Sequence, residues 1–150
     1  MNIRDFCIHE VACVPRTATV AEAAALMREF HVGDLVVIVV DATGARMPVG
    51  IVTDRDIVVE VVAAGVAPDS IAVADLLQRP LITVRDDKSF ADVARLMATH
   101  GVRRIPVVDA HGDLVGIVAH DDVLRQLASP LAALAELPRR GHQQEMRARP

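Results

Sequence analysis

GIVTDRD at residues 50–56 returns as GIVAHDD at residues 116–122, and the context of the two copies repeats with them. Moving the chain along itself by about seventy residues sets Asp5 on Asp75, Val14 on Val84, Ala24 on Ala94, Leu26 on Leu96, Met27 on Met97 and Val32 on Val102. Two Ala/Val-rich helices can share a few such identities by chance. They do not also share the order of every element around them. The chain is an internal duplication, and a repeat at this period is one unit copied once.

Each copy reads as strand, helix, strand, strand, helix. Val11–Val14 and Leu81–Val84 are short apolar strands bounded by turn residues. Val20, Ala24, Met27 and His31 recur at helical spacing, as do Phe90, Val93, Met97 and His100. Thr19 and Ser89 stand at N-cap positions, with Glu22 and Asp92 three residues on as their capping-box partners. Leu35–Val40 turns back on Val49–Val52, and Ile105–Val108 on Leu114–Val118, across turns rich in Asp and Gly. The closing helices start near Asp56 and Asp122, and Gly65 with Pro68 ends the first.

This places the chain in the α/β (α+β) class, as two β-α-β-β-α repeats. A three-stranded sheet with two short helices leaves one face bare, so the repeats are expected to pack sheet to sheet about a pseudo-twofold axis. The boundaries read as 1–66 for the first repeat, 67–129 for the second, and 130–150 for a C-terminal helix and flexible tail.

Composition excludes several functions. Of 150 residues, 52% are apolar but only 2% aromatic, and net charge is −4. Nucleic acid finds no global positive field and few stacking side chains here, and is not an expected partner. Arg139, Arg140, Arg147 and Arg149 are read as a solvated tail. Cys7 and Cys13 form no disulfide framework or zinc pattern, and are read as small hydrophobes. MNIRDFCIHE is no signal peptide, and Leu35–Val40 is too short to span a bilayer, so a cytoplasmic protein is expected. His120-Asp121-Asp122 resembles a metal string, but the first copy has no counterpart and no metal is expected. No nucleophile, base and oxyanion set stands out, and no enzyme is expected.

GIVTDRD at 50–56, GVRRIPVVD at 101–109 and GIVAHDD at 116–122, in register and duplicated, resemble the cystathionine-β-synthase (CBS) domain pair, or Bateman module. The resemblance runs from about Ile3 to Ala128. It implies a free-standing regulatory module that binds an adenine nucleotide (AMP, ADP, ATP or a related adenosyl ligand) between the repeats, with no cofactor required. Partners implied are a homodimer mate and an unidentified regulated protein.

The family's turn of Gly, apolar residue, hydroxyl residue and Asp maps onto Gly50, Ile51, Thr53 and Asp56. A carboxylate suits a ribose diol, and Thr53 and free N–H groups at the helix start suit phosphate. Both residues equally suit plain helix capping. By resemblance, Leu77, Ile82, Val102 and the backbone near Arg103 complete this better site. The weaker site would use Ala12, Val32, Ile117 and Asp122, with Cys7 and Gly33 on its wall. There Ala119 replaces the hydroxyl residue, Asp121 adds negative charge, and Arg103 and Arg104 are candidates for positive charge. The competing reading is a ligand-free structural dimerisation or adaptor module.

Overall fold

The computed structural model describes residues 2–149. The first repeat runs β1 (Cys13–Pro15), α1 (Val20–Phe30), β2 (Asp34–Val40), β3 (Arg46–Thr53) and α2 (Asp54–Ile57), whose chain widens into a π turn over Val58–Val62. The second runs β4 (Val84–Arg85), α3 (Phe90–His100), β5 (Arg104–Val108), β6 (Leu114–Ala119) and α4 (His120–Ala135), followed by α5 (Leu137–Ala148). Each repeat makes a three-stranded sheet in sequence order. In both, the first pair is parallel and the second antiparallel. The opening strands are narrower than the apolar runs, because only Cys13–Pro15 and Val84–Arg85 find ladder partners.

The helices form where their caps lie. Thr19 Oγ1 accepts the Glu22 N–H at 3.1 Å, and Glu22 Oε2 accepts the Thr19 N–H at 2.8 Å. Ser89 and Asp92 repeat that exchange at 3.3 and 3.0 Å. α1 and α3 end in left-handed residues, His31 (φ 55°) and Gly101 (φ 63°). The inward stripe of α1 is Val20, Ala23 and Met27. Ala24 and His31, expected on that face, are exposed, since the run offers three consecutive alanines, Ala23 to Ala25, and Ala23 is the one turned inward.

Two cores lie between helices and sheets, each built on buried aliphatic residues that contribute about 1.5–3 kcal/mol apiece. The first holds Val14, Val20, Leu35, Val37, Val52 and Val61, with Val73 and Leu76 from beyond the hinge. The second holds Val93, Ile105, Val107, Val118 and Val123, with Ile3 and Cys7 from the start of the chain. The leading segments are thus exchanged: residues 71–74 bond to the first repeat (Val20 N–H to Ile71 O, 3.0 Å; Val73 N–H to Ala18 O, 2.8 Å), while Ile3 N–H donates to Lys88 O at 3.0 Å. Val36 and Ile38 of β2 meet Leu114 and Ile117 of β6 in a third cluster, which joins the sheets face to face.

The C-terminal region departs from expectation. The helix expected from residue 130 is continuous with α4, which runs through Pro130 to Ala135. Proline removes one N–H from the ladder, but from Leu127 onward the helix is exposed. Residues 139–150 are expected as a tail, but 139–148 lie in α5, with Pro138 in its first turn where the missing N–H costs least.

Candidate functional site

A cleft of about 850 Å³ opens between the repeats, within the range of small-molecule sites. It is lined by Ile51, Thr53, Asp56, Leu77, Ile82, Val102 and Arg103, so the residues assigned to the better site share one cavity. β3 delivers Ile51 and Thr53, the first turn of α2 delivers Asp56, and the stretch before β5 delivers Val102 and Arg103.

Thr53 and Asp56 do cap the helix: Asp56 Oδ2 accepts the Thr53 N–H at 2.9 Å, and Thr53 Oγ1 accepts the Asp56 N–H at 3.1 Å. That leaves Asp56 Oδ1 without a protein partner among the described residues, and the Thr53 hydroxyl proton free to donate. Capping therefore leaves other atoms of the same two side chains uncommitted.

The anion site expected from the helix start is occupied. Asp54 N–H donates to Gly33 O at 2.9 Å, Arg55 N–H to its neighbour Asp54 Oδ1 at 2.8 Å, and Asp56 N–H to Thr53. Gly33, Asp54 and Thr53 thus satisfy the first amides of α2, so a phosphate here would have to be met by side chains. Arg55, Arg79 and Arg103 line the cleft with no ion-pair partner among the described residues. Arg104 also lines it, paired to Asp34. Burial pushes the Asp34 carboxyl above its ordinary value; Arg104 opposes that rise and Asp54 adds to it.

Ala12, Val32, Ile117 and Asp122 do not line this cleft. Asp122 Oδ2 accepts the Ala119 N–H at 3.0 Å, and its Oδ1 is engaged by Arg125 at 2.9 Å. Ala119 supplies no hydroxyl. The backbone of Ile117 is held by Ile8, each N–H donating to the other's carbonyl at 2.9 Å. Cys7 is wedged on Gly116, where an added Cβ would meet its Sγ at 2.6 Å. Arg104 and Asp121, placed beside this second site by sequence, line the first cleft, as does Arg103, which the sequence placed at both.

Sequence reasoning passed over Asp34, Arg79 and His120 as cleft residues. For Asp34 the signal was present: the seventy-residue offset sets it on Arg104. Both thiols are free, and burial raises the pKa of each. Among the described residues no three His, Cys, Asp or Glu side chains gather as a metal-binding set, and no helix is long and apolar enough to cross a membrane.

A family model for the CBS domain matches residues 3–63 and 73–129. An uncharacterized protein of Methanopyrus kandleri is 37% identical over 130 residues, which is 87% of this chain and 64% of that protein. Hypoxic response protein 1 of Mycobacterium tuberculosis is 36% identical over 124 residues, 83% of each chain. A crystal structure of Hypoxic Response Protein I with two coordinated zinc ions matches at TM-score 0.71 and 34% identity, covering 83% of this chain and 98% of that one. CBSX2 in complex with AMP matches at TM-score 0.67 and 30% identity, covering 85% and 96%.

Proposed function

This chain belongs to the CBS-domain family as a tandem pair, and we propose that it is a non-catalytic cytoplasmic sensor that binds an adenine nucleotide in the cleft between its repeats. The observation that carries this reading is the spare chemistry of the Thr53–Asp56 cap, one carboxylate oxygen and one hydroxyl proton bordering a cavity of nucleotide size. Asp56 Oδ1 takes the ribose diol, in bonds that contribute about 1.5–3 kcal/mol each. Ile82, Val102 and Leu77 press on the base without aromatic stacking. The unpaired arginines answer the phosphate. The AMP bound by CBSX2 supports the same ligand class.

Signal transmission follows from a ligand touching both repeats, because its binding biases their relative angle when the two arrangements differ in affinity. The output surface is a homodimer. Val58, Val59 and Val62 after α2, and Leu124 and Leu127 on α4, are 44–67% exposed in the single chain. Closed twofold dimers are the commonest way to cover such faces. A regulated protein, unidentified, would read the change.

A thermal-shift panel of adenosine, AMP, ADP and ATP tests the proposal. A ligand at a hundred times its Kd adds about 2.7 kcal/mol of stability, and the absence of any shift at millimolar concentration would overturn it. The second reading, a ligand-free dimerisation or adaptor module, draws on the cleft's charge: Asp34, Asp54, Asp56, Glu60 and Asp121 face only four arginines.

A further inference from the structure

Asp34 and Arg104 open β2 and β5, equivalent strands of the two repeats, and they meet across the pseudo-twofold axis as an ion pair. The duplication has placed an acid on one copy and a base on the other, so the pair bonds repeat to repeat. Both side chains line the cleft that holds Thr53 and Asp56. The Asp34 side chain is 15% exposed and that of Arg104 47%, so the guanidinium stays accessible from the cavity while its partner is the more enclosed.

Resting on the nucleotide-binding reading, we propose that this pair is a phosphate-operated latch. The ligand's phosphate draws Arg104 away from Asp34, and the cross-repeat bond loosens as the nucleotide binds. Asp34 and the phosphate compete for one guanidinium, a planar fork that matches either anion. Arg55, Arg79 and Arg103 have no such competitor among the described residues and bind without breaking anything between the repeats. Arg104 is thus the cleft cation through which a phosphate, as opposed to a base or sugar, acts on the angle between the repeats.

The test is calorimetry of the full chain with adenosine, AMP and ATP. Asp34→Asn removes the competitor, and AMP and ATP should bind up to about fivefold tighter, the strength of a partly exposed ion pair. Adenosine should be unchanged. Asp121→Asn removes the same charge from the same cleft without freeing Arg104, and reports the general field. The gain from Asp34→Asn should vanish when Arg104→Gln is also present. A gain that persists in the Arg104→Gln background, that adenosine shares, or that Asp121→Asn matches would overturn the latch. AMP binding that is identical in wild type and Asp34→Asn would overturn the latch and leave the binding proposal standing. No heat from any of the three ligands with the wild type would overturn both.

Discussion

Leu77 lies on the backbone of Gly50, so close that a Cβ at Gly50 would stand 2.5 Å from Leu77 Cδ2 and 2.7 Å from Cδ1. Residue 50 is glycine for the sake of a side chain 27 positions later, one that also walls the cleft. Gly50→Ala should destabilise by roughly 1–3 kcal/mol through overpacking. Leu77→Ala in the same chain should recover part of that loss. Urea unfolding of the two single variants and the double variant measures the coupling, and strict additivity would show that the contact is not the cause.

Asp56→Ala and Asp122→Ala should cost similar stability, about 1 kcal/mol, because each carboxylate closes the first turn of its helix by accepting an N–H three residues back. Their ligand effects should part. Asp56→Ala removes the free acceptor in the open cleft and should weaken AMP about ten- to a hundredfold. Asp122→Ala should leave AMP affinity nearly unchanged. Calorimetry showing the reverse order would assign the sites the other way round.

Ala119 is a weak N-cap, with no side-chain bond at the start of α4 where Thr53 serves α2. Ala119→Thr should raise stability by about 0.5–2 kcal/mol, read as a higher Tm. No change would mean that the Asp122 carboxylate already satisfies this turn.

The hairpin aspartates contribute to the acid response. The Thr43 hydroxyl, then the Thr43 and Ala45 amides, hold the Asp41 carboxyl below its ordinary value; the His111 and Asp113 amides act likewise on Asp109. A carboxyl lowered on folding contributes stability above its unfolded pKa and loses it as pH falls through the folded value. Both turns should therefore loosen only below the ordinary carboxylate range. NMR titration of Thr43→Val should move Asp41 upward and leave Asp109 where it is. Equal movement of both would point to a global acid transition.

Light scattering should return a dimer at micromolar concentration, and Val62→Asp or Leu127→Asp should return a monomer with the fold intact. Val62 is 67% and Leu127 44% exposed, so neither substitution disturbs the core of its own chain. A wild-type monomer would remove the proposed output surface.

Much of the architecture was legible in residues that act locally. Thr19, Glu22, Ser89 and Asp92 announce their helices because capping is settled within one turn. The duplication then makes each copy's pattern a check on the other, and the seven residues mapped from GIVTDRD and its facing wall do share one cavity. What stayed hidden depends on which copy a segment touches. An offset of about seventy residues makes Cys7 equivalent to Leu77, but says nothing of Ile3 and Cys7 packing on the second core while Val73 and Leu76 pack on the first. The tail misleads because residues 139–148 offer no apolar stripe to announce the helix they form.

The exchanged leaders also impose a schedule on synthesis. A chain leaving the ribosome N-terminus first cannot finish its first core when β3 emerges, because Val73 and Leu76 are still to come. Ile3 waits longer, for β6 and the start of α4 to supply Val118 and Val123. The first core can close once Leu76 is outside, but the second cannot close before Val123, so Ile3 and Cys7 are the apolar groups that wait longest for cover during synthesis.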